Sequence, residues 1–308
     1  MRRPRLRLEL LPPPVATQTK IRFARVGYLL TMAARRLTGR RSANADSVRN
    51  GLRWSLDLRE GIDLSIYLLG RFEVGVSRTL DAAVRPGMTV VDIGANVGAH
   101  TLPLARSVGA DGLVVALEPT AWAYRRLQHN LALNPELEGR VRALQVALGE
   151  PGGSVPETLF SSWNLSATGE AVHATHGGSP KSTDGCTATT LDQVVAEQAL
   201  SRVDLIKLDV DGFEAKILRG GRDTLTRLRP QILLELCSYT LAEQGDRLDD
   251  LLELLWSAGY DLRQPRGDPL PRDRRWIEQA LPRGGSINVL AVPGLRPDPA
   301  SEAATDRP

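Results

Sequence analysis

A chain of 308 residues, 42% of them hydrophobic and 24% charged, is long enough for a sizeable core and too balanced for wholesale disorder or a fibrous repeat. Two cysteines, Cys186 and Cys237, and four histidines exclude a disulfide scaffold, a four-cysteine zinc site and a histidine-rich metal cage. The formal net charge of +3 does not mark a nucleic-acid binder, so no nucleic-acid partner is expected, and no apolar run approaches the roughly 20 residues of a membrane span.

Basic charge is concentrated at the start of the chain. Arg2, Arg3, Arg5, Arg7, Arg35, Arg36, Arg40 and Arg41 stand there with only two acids, Glu9 and Asp46. Pro12, Pro13 and Pro14 interrupt the first segment. Over residues 20–37, Ile21, Phe23, Val26, Leu29, Leu30, Ala33 and Leu37 recur at helical spacing. They predict a helix in a basic N-terminal arm, residues 1–50, either in peripheral contact with a membrane or a partner or packed on the main domain. The twin arginines Arg2 and Arg3 lack the apolar stretch of an export signal, so a cytoplasmic location is expected, which suits the cysteine usage.

Leu52, Trp54, Leu56 and Leu58 alternate with polar residues and predict a half-buried strand; Gly61 turns it, and a short helix over 63–70 completes a segment spanning 51–85. Strands and helices then alternate: a strand at Thr89–Ile93, a helix at Thr101–Ser107, a strand at Leu113–Leu117 and a helix over 121–133. Further strands are predicted at 141–147, 204–210, 231–235 and 286–292, with a helix over 247–258 that carries Leu248, Leu251, Leu252 and Leu255 on one stripe. This rhythm means an α/β domain over 86–294 with a doubly wound, mostly parallel sheet covered on both faces. Residues 149–185, rich in Gly, Ser and Thr, read as a long loop with one strand at 155–160. Residues 295–308 read as a disordered tail.

The strongest chemical signal is the run Val90-Val91-Asp92-Ile93-Gly94-Ala95-Asn96-Val97-Gly98, a buried strand ending in an acid and a glycine-rich turn that opens a helix. In an open parallel sheet a ligand sits beside such a turn. A dinucleotide pyrophosphate needs close backbone approach at the second glycine position, where Asn96 stands, and Asp92 would repel it. S-adenosylmethionine has no phosphate, and its ammonium and sulfonium groups favour a nearby carboxylate. Glu118, before Pro119 at the end of the next strand, is placed to accept from ribose hydroxyls, or serves as an acid at a helix N-terminus.

The third signal is Ile206-Lys207-Leu208-Asp209-Val210-Asp211-Gly212-Phe213-Glu214, where acids and a lysine meet at a strand end. Charges there need partners or a task. A Lys207–acid ion pair with Asp211 capping a helix is one reading; a metal-binding D-x-D pair, as in nucleotide-sugar glycosyltransferases, is another. His173 and His176, three apart, are a further metal pair to consider, but no other ligand set completes them. His100 after the glycine turn reads as a helix-surface residue and a weaker candidate base.

Taken together these motifs resemble the FkbM-type family of S-adenosylmethionine-dependent methyltransferases. The resemblance spans residues 51–293 and includes Leu56-Asp57-Leu58, Gly70-Arg71-Phe72-Glu73, Glu118-Pro119, Thr190-Leu191-Asp192, Leu218-Arg219-Gly220-Gly221, Arg229-Pro230 and Glu235. The family's usual glutamate is Asp211 here, which keeps the charge and shortens the reach. The resemblance implies a Rossmann-like methyltransferase sheet with its last strand antiparallel, and methyl transfer, most often to a hydroxyl. It gives Asp92, Gly94, Asn96, Gly98 and Glu118 as cofactor-binding residues. Asp209 becomes the candidate base or acceptor-orienting acid, with Lys207 tuning its charge. The expected acceptor is a small molecule or a glycan unit. It is placed by residues 149–185, where Trp163 offers an aromatic face, and by 63–73. No metal site is assigned, although Asp209 and Asp211 could hold a divalent cation. Alternatives are a protein or nitrogen acceptor, a cofactor-binding protein without catalysis, and an NAD-dependent oxidoreductase.

Overall fold

The computed structural model describes residues 17–166, 178–282 and 284–294. His173 and His176, the first arginines and the 295–308 tail lie outside the described residues. Helix α1 (Thr17–Leu37) comes first, then strands β1 (Asn44–Arg49) and β2 (Leu52–Asp57), helices α2 (Gly61–Leu69) and α3 (Val74–Ala83), and the alternating units β3 (Thr89–Ile93), α4 (Thr101–Ser107), β4 (Leu113–Leu117), α5 (Ala121–Ala132) and β5 (Val141–Leu144). Four short elements follow: β6 (Val146–Leu148), β7 (Thr158–Trp163), β8 (Gly178–Ser182) and β9 (Thr187–Thr189). The chain closes with α6 (Leu191–Glu197), β10 (Leu205–Leu208), α7 (Glu214–Arg219), β11 (Gln231–Leu236), α8 (Ser238–Glu243), α9 (Leu248–Ser257), β12 (Tyr260–Arg263), α10 (Arg274–Ala280) and β13 (Ile287–Pro293).

The main sheet has seven strands in the order β12-β13-β11-β10-β3-β4-β5. β3 pairs in parallel with β10 and β4, β4 with β5, and β10 with β11, whereas β13, the last strand of the chain, runs antiparallel to both β11 and β12. The expected sheet, mostly parallel with the last strand antiparallel, is therefore present. The strand order turns back at β3, so the ends of β3 and β10 splay their loops apart and leave a crevice there.

Period-two alternation sorts the core. Val91, Ile93, Val115, Leu117, Ile206 and Leu208 face one apolar cluster, and Val90, Val114, Ala116 and Leu205 face the other. Asp92 and Lys207 share the parity of the second set and are direct partners in the β3–β10 register, so their charges meet on one face of the sheet.

The structure departs from the sequence expectations in several places. The strand expected over 141–147 is broken: β6 leaves the main sheet and pairs in parallel with β9. The expected long loop at 149–185 contains two strands, β7 and β8, paired antiparallel. Two strands are needed because a lone β7 would leave its backbone groups unpaired. β1, expected within the basic arm, pairs antiparallel along the whole of β2. Helices α3, α6, α7, α8 and α10 and strands β9 and β12 are not among the elements read from the sequence. α2 is pinned to α5 where buried Asp63 meets Arg126 Nη1 at 2.7 Å and accepts the Asp57 N–H at 2.9 Å. Burial, opposed by Arg126, leaves the Asp63 carboxyl raised to about 6.

Candidate active site

A cleft of about 860 Å³ opens over the ends of β3, β4, β10 and β11. Of the residues expected there, Gly94, Asn96, Glu118, Lys207 and Asp209 line it, and Asp92 and Gly98 lie behind its wall. Gly94 has φ +77°, and a Cβ on it would stand 2.2 Å from the Asp209 carbonyl oxygen, so the two strand ends touch backbone to backbone. Gly98, at φ +92°, packs its Cα against Leu102 and Leu127, which would lie 2.6 and 2.8 Å from an added Cβ. Its task is to let α4 close on the sheet.

Asp92 is fully buried. Its Oδ2 accepts from Thr101 Oγ1 at 2.6 Å, and its Oδ1 lies 3.7 Å from Lys207 Nζ. Asp92 does not line the cleft, and its carboxylate faces Lys207. That lysine, also buried, donates to the carbonyl oxygens of Gly94 (3.1 Å) and Ile93 (3.4 Å) and lies 3.4 Å from Asp209 Oδ2. Burial opposes its charge, but Asp209, Asp92 and Glu73 overcome that and raise its pKa, so it stays a cation. Lys207 thus ties the glycine turn to the Asp209 carboxylate, whose side chain is 33% exposed to the cleft.

Asn96 has φ +48°, a left-handed conformation that Asn tolerates. Its N–H donates to Glu118 Oε2 (2.9 Å) and its Nδ2 to Ser161 Oγ on β7 (2.9 Å). The other Glu118 oxygen, Oε1, accepts the Thr120 N–H (2.9 Å) and hydroxyl (2.6 Å). Burial, offset by these donors, raises the Glu118 pKa. Each carboxylate oxygen has two lone pairs, so Oε2 keeps capacity for one further donor from the cleft.

Four acids converge on the far side: Glu73, Asp209, Asp211 and Glu235. The protein around Asp211, with Asp209 and Glu214 as like charges, pushes its carboxyl up to about 8. Burial and then Asp209 and Glu73 push Glu235 well up, and its carboxylate accepts from the Ser286 hydroxyl. Glu214, held up at about 7 mainly by burial, accepts from the Val210 and Gly212 N–H groups and shapes the loop after β10. Among the described residues no group of three or more His, Cys, Asp or Glu side chains is placed to hold a metal ion.

His100 is not a helix-surface residue. It is 5% exposed, lines the cleft, and its ring centroid lies 5.9 Å from that of Phe72. Its Nε2 is buried without a hydrogen-bond partner. Burial and Lys207 lower its pKa to about 4, so it is neutral near pH 7. Trp163 meets Phe72 edge-on at 6.4 Å, and its ring packs on Gly61, where a Cβ would come within 3.0 Å. The Thr190-Leu191-Asp192 motif is structural: Thr190 caps α6 in a capping box, and Asp192 accepts from Thr224 N (2.8 Å) and Thr224 Oγ1 (2.6 Å).

Sequence reasoning placed Phe72 and Glu73 only as part of the acceptor-placing segment 63–73, gave no role to Thr120 and did not place Glu235 in the cleft. The runs Gly70-Arg71-Phe72-Glu73 and Glu118-Pro119 contained or flanked three of them.

A sequence model of the methyltransferase FkbM domain matches residues 92–262, more than half of the chain. The chain belongs to the FkbM methyltransferase family. The match begins at Asp92 and takes in the glycine turn, Glu118, Lys207, Asp209 and Glu235, so one family motif set lines one cleft. The chain is 28% identical over 249 residues to methyltransferase sdnD of Sordaria araneosa, covering 70% of this chain and 93% of that protein. It is 27% identical over 197 residues to the 2-O-methyltransferase NoeI of Sinorhizobium fredii, covering 59% of this chain and 77% of that one. Among solved structures, methyltransferase FkbM from Methylobacillus flagellatus aligns at 15% identity with a TM-score of 0.40, over 70% of this chain and 50% of that one. The chain is thus a methyltransferase on a Rossmann-like sheet, and its family implies S-adenosylmethionine as methyl donor. No helix among its described residues is long and apolar enough to cross a membrane.

Proposed function

We propose that the protein transfers the methyl group of S-adenosylmethionine to a hydroxyl of a small molecule or a glycan. The observation that carries this reading is the Asp209 carboxylate, open to the cleft, fixed by Lys207 and touching the Gly94 turn through its own backbone. When bound, S-adenosylmethionine supplies an activated methyl on a sulfonium centre. The donor set suits that group. The carboxylates of the cleft favour its cationic centres and disfavour phosphate. Glu118 Oε2 has a lone pair left for a ribose hydroxyl, and the turn from Gly94 to Asn96 would hold the neighbouring part.

The chain's own residues then orient the acceptor and take its proton. Asp209 accepts a hydrogen bond from the hydroxyl, and Lys207 keeps that carboxylate in one position. Neutral His100, whose Nε2 faces no protein donor or acceptor, is a second acceptor for the proton. Asp209→Asn is expected to lower turnover by about 10²–10⁴-fold, with S-adenosylmethionine affinity within a few-fold of wild type. The check is a radiolabel transfer assay beside calorimetry, and equal turnover in the variant removes Asp209 from the role.

The same cleft supports a second reading, a nitrogen acceptor, because the Asp209 and Glu73 carboxylates that line it would also attract an ammonium group. Carbon-13 NMR of a product made with labelled methyl donor separates the two. A methyl ether supports the hydroxyl acceptor, and a methylamine supports the nitrogen acceptor.

A further inference from the structure

Helix α1 carries apolar side chains on its outward side as well as its inward one. Met32 and Arg35 are its buried residues, and Ala24 and Tyr28 pack on the core. The Arg35 guanidinium donates to Tyr67 Oη (3.3 Å) and to the carbonyls of Ser42 (3.2 Å) and Asn44 (3.1 Å). The outward side carries the apolar residues: Phe23, Val26, Leu29, Leu30 and Leu37 are 72%, 54%, 65%, 67% and 90% exposed. At 3.6 residues per turn Phe23, Val26, Leu30 and Leu37 fall on one stripe with Leu29 at its edge. The stripe continues onto the end of α2. A Cβ on Gly27 would stand 3.8 Å from Leu68 Cδ1, and Leu68 and Leu69 are themselves exposed.

Charge follows the edge that Leu29 marks. Arg22 and Arg36 bracket Leu29 at seven-residue intervals, and Arg40 and Arg41, both exposed, follow the helix. Residues 1–50 hold twelve basic and two acidic residues, and the rest of the chain twenty-seven basic and thirty-four acidic. The molecule is thus polarised, and helix α1 of its basic segment carries five of the nine exposed large hydrophobic side chains among the described residues. A monomer in water rarely leaves such a stripe uncovered.

We propose that this face docks on an anionic lipid bilayer, with α1 lying in the interfacial plane. Phe23, Val26, Leu30 and Leu37 enter the boundary of the acyl chains, while Arg22, Arg36, Arg40 and Arg41 reach the phosphates of the headgroups. A second copy of the chain fits less well. A two-fold contact would set the same arginines against themselves around a drying interface. Nucleic acid accepts the arginines but gives the apolar stripe nothing to bury against. The proposal concerns a surface away from the catalytic cleft and stands whether or not the hydroxyl acceptor is correct.

Flotation of the full-length protein with vesicles tests it. The protein is expected to float with phosphatidylcholine–phosphatidylglycerol vesicles, to float poorly with phosphatidylcholine alone, and to be released as salt rises. Changing Phe23→Ser together with Leu30→Ser is expected to lower partition by at least about tenfold, since each removes most of a large apolar burial. The same variant should keep the thermal midpoint and S-adenosylmethionine affinity, because both side chains are exposed and remote from the cleft. Hydrogen exchange on the wild type gives a readout that needs no variant: anionic vesicles should slow exchange in α1 and the end of α2. Absence of flotation overturns the proposal, as does flotation unchanged by the double substitution or protection confined to other elements. Sedimentation as a dimer that the double substitution converts to a monomer assigns the face to a second copy instead.

Discussion

Gly94 stands where the chain can least accept a side chain. At φ +77° an added Cβ would lie 2.2 Å from the Asp209 carbonyl oxygen, and that oxygen cannot retreat without displacing the strand end that carries the proposed base. Gly94→Ala is therefore expected to cost about 2–4 kcal/mol of stability, from positive φ and overlap together, and to weaken S-adenosylmethionine binding. Gly75, inside α3 with open space around it, supplies the contrast: Ala there should add roughly 0.5–1 kcal/mol. Urea unfolding of both variants checks the pair. His100 makes a pH statement at the same scale. It faces Lys207, Asp92, Asp209 and Asp81, and its pKa falls from 6.5 to about 4 on folding. Between those values the unfolded chain binds the proton and the folded one does not, so this contribution is complete above pH 6.5 and is lost as pH falls toward 4. The gap is worth about 3 kcal/mol at most. Buried Asp63 and Glu214, with raised pKa values of about 6 and 7, act in the opposite direction, and comparison with a variant cancels them. Relative to His100→Gln, wild type should lose stability from pH 7 to pH 4.5. Parallel urea midpoints across that range would show His100 to be protonated in the fold.

Among the elements, the β7–β8 pair joins the two halves of the cleft. Ser161 and Trp163 lie two positions apart on β7, across an irregularity in the pairing with β8. Ser161 accepts from Asn96 of the glycine turn, and Trp163 packs on Phe72 and Gly61 of the opposite wall. Trp163→Ala is expected to lower kcat/KM for the acceptor by about tenfold or more, because a large aromatic surface leaves the wall, while the S-adenosylmethionine Kd stays within about twofold. Isothermal calorimetry beside acceptor kinetics separates the two. Loss of cofactor binding in this variant would assign the whole pair to the cofactor pocket. The role of this pair was hard to read from sequence for a physical reason. β7 sets Leu159 and Phe160 side by side and β8 holds only Gly, Ser, Pro and Lys, so neither shows period-two alternation, and β1 buries only Ala45. α3 carries Gly75 in its first turn and only ten residues, too few for a clear stripe. The central strands were legible because Thr89–Ile93 is buried throughout and Leu113–Leu117 nearly so. The glycine turn was legible because its chemistry is local. Glu73 and Glu235 reach the same cleft only through tertiary packing, and no spacing rule joins residues that far apart.

For the whole molecule, ligand binding is a statement about folding. The cleft is assembled from β3, β4, β10 and β11 together with the segments that follow them, so a ligand held there binds the folded chain and not the unfolded one. At about a hundred times its Kd, S-adenosylmethionine should add roughly 2.7 kcal/mol. For a chain of this size, at about 2.1 cal/mol/K of unfolding entropy per residue, that is a rise in Tm of about 4 °C. NAD at equal concentration should produce none, because its pyrophosphate would meet an acid-lined cleft and the Asn96 side chain. Glu118→Ala should weaken the cofactor by roughly 1.5–3 kcal/mol, the scale of a hydrogen bond to a charged group, and so erase most of the rise. The comparison must use the ligand-induced shift within each protein and not the absolute Tm. Glu118 also accepts from Asn96 and Thr120, and its loss destabilises the ligand-free fold as well. A full cofactor-induced shift in Glu118→Ala would take the ribose contact away from Glu118. A shift with NAD equal to that with S-adenosylmethionine would remove the charge of the cleft as the reason for cofactor choice.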